Sequence, residues 1–181
     1  MKHICLETPD IKLRACEPED LSLMYEIEND TALWETGCTT VPYSRYALKQ
    51  YIAQTQNDIY TDKQLRLIIV HKADNATIGI IDLADFEPQH NRAATGIIIK
   101  STYRKQGLGH QALMLLRNYA FRFLHLHQLY AYIAADNQAS LQLFEKCGFT
   151  PSAHLKDWIR ESSYHYADAC LLQCINPEAS I

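Results

Sequence analysis

A glycine-containing stretch at residues 103–121, YRKQGLGHQALMLLRNYAF, places Gly107 and Gly109 directly before a long apolar segment. From Leu108 onward the apolar residues recur at intervals of three and four, the period of an α-helix, and the preceding RAATGIIIK is typical of a strand. Glycines let main-chain amides approach an anion closely, and the helix dipole favours negative charge there. The stretch therefore predicts a strand–loop–helix unit, which is either an ordinary connection or a phosphate-binding loop.

Two other phosphate-binding motifs do not fit this loop. No Gly-Lys-Ser/Thr follows the first glycine at the Walker A distance. Nor is there a third glycine to complete G-x-G-x-x-G. A P-loop and a dinucleotide fingerprint are thus both excluded.

The composition narrows the class of protein. We expect one domain over residues 1–181, with no membrane span, because no run of about 20 apolar residues occurs. The N-terminus reaches acidic and proline residues too early for a secretory signal, so we expect a cytoplasmic protein. A formal net charge of −4 argues against nucleic acid as the main partner.

The metal-ligating residue types show no metal-binding spacing. The six cysteines lack a C-x-x-C pair, which favours reduced, mostly buried thiols over zinc or disulfides. His125 and His127 cannot share a helix face. We expect no metal.

Strands and helices alternate along the chain, with hairpins at both ends. QLRLIIV and TIGIIDL, joined by HKADNA, predict one hairpin, and the tail predicts two strands around a polar turn at residues 161–163. Ser44 is a candidate N-cap for the helix in PYSRYALKQYIAQTQ, and Gly148 ends the helix in NQASLQLFEKCGF. This order predicts an α/β domain on a mixed sheet.

Two of these motifs together resemble the GNAT-type N-acetyltransferases. YRKQGLG matches the family loop R/Q-x-x-G-x-G/A, and NQASLQLFEKCGF matches the later family helix, in the right order with the strand LYAYIAA between. Among subgroups, the chain is most similar to the polyamine (spermidine) and ribosomal-protein N-terminal acetyltransferases. The resemblance implies a single-domain fold with a mixed, mostly antiparallel sheet, flanking helices and splayed central strands.

The resemblance also implies an acetyl-CoA site. The pantetheine arm would pair with the edge backbone of the strand that ends in Ile97, Ile98 and Ile99, as an added strand does. The pyrophosphate would lie on the loop amides, with Arg104 and Lys105 as auxiliary charges; these amides belong to Gln106, Gly107, Leu108, Gly109 and His110. Asn137 would bond the pantetheine amides or simply cap its helix. Phe144 would pack along the arm or fill the core.

The catalytic groups depart from the family pattern. Ala94 stands where relatives carry a glutamate base. Asp82 is therefore the proposed substitute for this base. An equally good interpretation is that Asp82 is an exposed strand carboxylate without a catalytic role. Phe144 stands where many relatives have a proton-donating tyrosine, so the acid is unassigned. Trp34 and Glu35 are candidate substrate-side residues.

These observations predict direct acetyl transfer from acetyl-CoA to a primary amine, of a small cationic amine or a protein N-terminus. Cys147 faces inward in the helix pattern, so no acetyl-cysteine step is expected. Exposed strand edges make a homodimer plausible. Two alternatives stay open: an acyl-CoA-binding sensor that has lost its chemistry, and an unrelated α/β nucleotide binder.

Overall fold

The computed structural model of the chain describes residues 5–31, 41–161 and 164–179. Its strands are Ile11–Ala15 (β1), Leu65–His71 (β2), Ala76–Glu87 (β3), Arg92–Ile99 (β4), Gln128–Ala134 (β5), Thr150–Arg160 (β6) and Tyr166–Ile175 (β7). Its α-helices are Leu21–Glu28 (α1), Arg45–Gln54 (α2), Ile59–Asp62 (α3), Leu108–Arg122 (α4) and Gln138–Lys146 (α5). Short 3₁₀ turns cover Pro18–Asp20, Ser101–Tyr103 and Pro177–Ala179.

The strands form one seven-stranded sheet in the order β1-β2-β3-β4-β5-β7-β6. Every neighbouring pair is antiparallel except β4 and β5, which run parallel. This confirms the predicted mixed, mostly antiparallel sheet with flanking helices.

The two central strands diverge after a short contact. β4 and β5 pair only where Arg92–Ala94 meets Gln128–Tyr130. Beyond that point β4 stays paired with β3 as far as Ile99, and β5 stays paired with β7 as far as Ala134. Each strand remains in its own half of the sheet, and the predicted splay between the central strands is confirmed.

Helices cover the two faces of the sheet unequally. One face packs against α4 and α5 in a core that includes Leu113, Leu116 and Phe149. The other face packs against α1 and α2 through a cluster that includes Met24, Ile68 and Ile80. In the part of the chain that the structure describes, this second cluster contains no residue of β5, β6 or β7. Among these residues, no helix covers that half of the sheet on the α1 side.

Several element ends differ from the sequence prediction. Helix α4 ends at Arg122, earlier than the apolar intervals of the sequence extend, and Phe123 beyond this end is 49% exposed. The short helix α3 was not predicted, because four residues carry no readable period. Ser44 caps α2 as expected, since its Oγ accepts a hydrogen bond from the Ala47 amide at 3.0 Å. Of the predicted turn at 161–163, only residue 161 is described.

Candidate functional site

The glycine loop takes a left-handed turn just before α4. Lys105 has φ 61° and Gly107 has φ 77°, a region in which glycine carries no steric penalty. Gly107 is also the N-cap of α4, and a Cβ atom added to it would meet nothing within 4 Å. Its role is therefore to allow the turn, and the space in front of it is open.

The main-chain amides of the loop are free. The first helical bond joins the Gln111 amide to the Gly107 carbonyl at 3.2 Å. Among the described residues, the amides of residues 106–110 donate to no main-chain carbonyl. Unpaired amides at the start of a 15-residue helix, with the positive end of its dipole, form a site for an anion.

The side chains of the loop divide between packing and solvent. Leu108 is 4% exposed and belongs to the core, so only its main chain is available to a ligand. A Cβ on Gly109 would lie 3.4 Å from Ile99 Cδ1 and 3.5 Å from Leu143 Cδ2, which are ordinary van der Waals contacts, so packing does not require glycine at this position. His110, Lys105 and Gln106 are exposed.

Arg104 connects the loop to the end of β4. Its Nε donates a hydrogen bond to the Ile99 carbonyl at 2.8 Å, which uses one of the two lone pairs of that oxygen. Ile97 packs on the α4 side of the sheet and Ile98 on the α1 side. The main chain of this segment faces the gap that opens where β5 diverges.

A buried polar atom without a partner lies at the start of this gap. Thr95 is the first β4 residue beyond the contact with β5, and it is 6% exposed. Its Oγ1 has no hydrogen-bond partner among the described residues. Because an unsatisfied buried hydroxyl costs about 1–3 kcal/mol, a ligand or water in the gap that bonded it would be stabilised.

Asn137 and Phe144 take the structural roles considered for them. Asn137 Oδ1 accepts a hydrogen bond from the Ser140 amide at 3.1 Å and caps α5. Phe144 is 3% exposed and packs edge-to-face on Phe149, with ring centroids 5.0 Å apart. Their contacts with a cofactor stay predictions. Trp34 and Glu35 lie outside the described residues.

Asp82 is held in an ion-pair network on the α1 side of the sheet. Arg66 on β2 donates to both of its oxygens, from Nε at 3.0 Å and from Nη2 at 2.9 Å. Arg66 Nη1 also donates to Glu28 Oε1 on α1 at 2.5 Å. Burial opposes the charge on Arg66, but the charges and hydrogen bonds of these two carboxylates outweigh it and raise its pKa. Two carboxylates and one guanidinium leave a net negative charge here.

The sequence reasoning missed Arg66 as a site residue. The available signal was one arginine in the apolar strand segment LRLIIV, directly opposite Asp82 in the hairpin register. It also missed Trp158, whose ring stacks on Tyr132 with centroids 5.6 Å apart. No local pattern connects these two residues, because they lie on strands separated by β7.

Within residues 5–31, 41–161 and 164–179, no cluster of three metal-ligating side chains occurs. In the same residues, no helix has the length and apolar character of a membrane span.

Comparison with known proteins identifies the family. The family model of the acetyltransferase (GNAT) domain matches residues 10–150. The spermidine N(1)-acetyltransferase of Vibrio cholerae serotype O1 is 26% identical over 145 residues, which cover 80% of this chain and 82% of the relative. That of Escherichia coli strain K12 is 26% identical over 145 residues, which cover 80% and 75% of the two chains.

Solved structures share the fold. The crystal structure of the Vibrio cholerae spermidine N-acetyltransferase in complex with CoA and spermine superposes with a TM-score of 0.81 at 24% identity. The superposition covers 93% of this chain and 97% of that one.

Proposed function

The chain belongs to the GNAT acetyltransferase domain family, and on that premise we propose that it acetylates a primary amine of a small aliphatic polyamine by direct attack on acetyl-CoA. The donor follows from the family. The acceptor class is our proposal, and it is supported by the spermidine acetyltransferases among the relatives and by the net negative network around Arg66.

The observation that carries the proposal is the gap between β4 and β5, with free loop amides beside it. Pairing between the strands stops at Ala94 and Tyr130, and within the described parts of the chain the β4 edge beyond this point has no partner strand. The free amides of residues 106–110 follow this edge directly in the chain. One ligand with an extended, amide-containing arm joined to a diphosphate fits both features.

The residues present fit coenzyme A. The diphosphate would lie on the amides of residues 106–110, where the open space at Gly107 leaves room for it. The pantetheine amides would bond the β4 main chain from Ile97 to Ile99, as an added strand does. Lys105 adds exposed positive charge, and Asn137 would contribute its side-chain amide. Acetyl-CoA supplies an activated thioester.

The acceptor must lose a proton before it can attack. An alkylammonium has a pKa near 10.4, so forming the neutral amine at pH 7 costs about 4–5 kcal/mol. Asp82 is the proposed base, acting directly or through water. Both oxygens of Asp82 accept hydrogen bonds from the Arg66 guanidinium, which fixes the orientation of the carboxylate. Arg66 is therefore a positioning residue.

The leaving thiolate needs a proton that Phe144 cannot supply. A thiol of pKa near 8.5 is already a fair leaving group, and holding two reactants in place contributes about 7–11 kcal/mol. The contribution of positioning to the rate is therefore larger than the contribution lost with the missing acid. Solvent water is the proposed proton source.

Thiol release decides between transfer and binding alone. Purified protein is incubated with acetyl-CoA and a panel of spermidine, a monoamine, an amino acid and a peptide N-terminus, and free thiol is followed. Release above the rate without enzyme, greatest with spermidine, is expected. Tight CoA binding without release for any amine would instead identify an acyl-CoA sensor, which the missing tyrosine and glutamate would explain.

A further inference from the structure

Three aromatic side chains on β5 and β6 form a cluster that we call the aromatic wall, in which one ring is half-buried and two are exposed: Tyr130, Tyr132 and Trp158. The Tyr132 and Trp158 rings stack with centroids 5.6 Å apart and planes at 26°. Tyr130 packs edge-on against Tyr132 at 5.7 Å. Tyr132 is 48% exposed and Trp158 is 55% exposed, so much of the aromatic surface faces solvent.

An irregularity in β6 puts Trp158 in this place. Between the pairs Leu155↔Ala169 and Ile159↔Ala167, β6 uses four steps where β7 uses two. Asp157 has φ 51°, and its amide donates to Asp168 Oδ1 at 2.9 Å. Bulges of this kind change the direction of side chains. The bulge in β6 directs the Trp158 indole across β7, so that it contacts Tyr132 on β5.

The aromatic wall borders the strand gap on the side where the acceptor would enter. Tyr130 is the last β5 residue paired with β4, and Tyr132 lies about 7 Å further along the strand. Alternation along the strands places Tyr132 on the same face as Gly96, which pairs with Asp82. Among the described residues, a Cβ on Gly96 would meet nothing within 4 Å, so the sheet face directly above Gly96 has free space.

The charges around this opening favour a cation. Asp82 and Glu28 share Arg66, which leaves one net negative charge on the β3 side. On the β5 side, burial and then the charges of Asp85 and Glu87 raise the pKa of Tyr130, and the opposing charge of Arg92 is paired with Glu87 at 3.0 Å. Among the described residues, no lysine or arginine lies over any of the three rings, so their π faces are not taken by an internal cation.

We propose that Tyr132 and Trp158 are specificity residues that bind the second, non-reacting ammonium of a diamine or polyamine acceptor through cation–π contacts. This inference rests on the proposed function. The reacting nitrogen lies near Asp82 at the gap, and a short methylene chain bridges the open face above Gly96. A monoamine reaches the gap but leaves the aromatic wall unused.

The test compares spermidine with butylamine, which lacks the second ammonium, in wild type, Trp158→Leu and Trp158→Phe. We expect Trp158→Leu to lower kcat/KM for spermidine about tenfold and to leave that for butylamine unchanged, with Trp158→Phe close to wild type. Tyr46→Leu is the matched control, because Tyr46 is an aromatic side chain that is 70% exposed on α2 and is not part of the aromatic wall. An equal effect of Trp158→Leu on both amines, or none, overturns the inference.

Two further measurements separate this inference from its premise. If wild type acetylates no amine, the proposed function fails. Calorimetry with CoA present then tests the inference separately, by comparing the affinities of wild type and Trp158→Leu for spermidine and for butylamine. Mass by light scattering is measured for each variant. Trp158→Leu could change the oligomeric state and leave the preference between the two amines constant. This result would show that the aromatic wall is a contact between copies of the chain, and it would overturn the inference.

Discussion

Ala94 on β4 and Tyr130 on β5 are the last residues that pair across the two central strands before these diverge. The position at which the family resemblance implies a glutamate base is thus occupied by a small side chain at the apex of the gap. Asp82, on the neighbouring strand β3, is two residues away from Ala84, the partner of Ala94 in the β3–β4 register. The candidate carboxylate therefore approaches the gap from the side.

Substitution at Gly107 tests the anion site. Gly107→Glu places a carboxylate among the free amides, so we expect CoA affinity to fall at least about tenfold by like-charge repulsion. Gly107→Asn is the matched control, because asparagine tolerates a positive φ and is neutral. Calorimetry with CoA gives both affinities. Equal CoA affinity in the two folded variants would show that the diphosphate does not bind at this loop.

Replacing Asp82 tests the base. Asp82→Asn should lower turnover about 10- to 100-fold near pH 7 and much less near pH 9, because free amine becomes more abundant as pH rises. Glu28→Gln is the matched control, since it also removes a partner of Arg66 but leaves Asp82 in place. Rates measured across this pH range decide the role. The same pH profile in both variants would assign Asp82 to structure alone.

The burial of Phe144 has a direct consequence for stability. Phe144→Ala removes a ring that is 3% exposed and packs on Phe149, so we expect a loss of about 3–5 kcal/mol in the free energy of unfolding. Phe123→Ala, at a position 49% exposed, should cost less than about 1 kcal/mol. Urea unfolding provides both values, and similar losses in the two variants would contradict the packing assigned to Phe144.

Cys147 should be inert in catalysis. Burial raises the pKa of the Cys147 thiol to about 11, so almost none of it is thiolate at neutral pH. We expect Cys147→Ala to keep acetyl transfer within about threefold of wild type. Mass spectrometry after a quench should find no acetyl group on this residue, whereas a trapped acetyl-Cys147 would replace direct attack with a two-step route.

Asp74 predicts a dependence of stability on pH. Hydrogen bonds from the Ala76 amide, His71 and Tyr103 lower the pKa of Asp74 to about 2. Because its folded pKa lies below the unfolded value of 3.8, its contribution is complete above about pH 5 and disappears as pH falls towards 2. Wild type should therefore melt above Asp74→Asn near pH 6, and the difference in Tm should shrink near pH 3. If the difference in Tm stays constant between pH 6 and pH 3, the stabilisation does not depend on the ionised form of Asp74.

Much of the local structure was readable from the sequence. The three- and four-residue intervals located α4, Ser44 and Asn137 cap their helices, and Gly148 ends α5 with φ 88°. These features depend on residues only a few positions apart. Ring burial at Phe144 was one of two interpretations, because an apolar residue on a helix face can pack on a core or a ligand equally well.

The sequence by itself determined the types of the longer strands and helices and the place of the glycine loop before α4, since hydrophobic period and backbone freedom are local properties. Only the tertiary structure decided that β4 and β5 part after Ala94, that Arg66 joins Asp82 to Glu28, and that Trp158 reaches Tyr132. Those contacts depend on strand order, register and a bulge in β6. Each of these is fixed by packing between segments distant in the chain, and no local pattern records it.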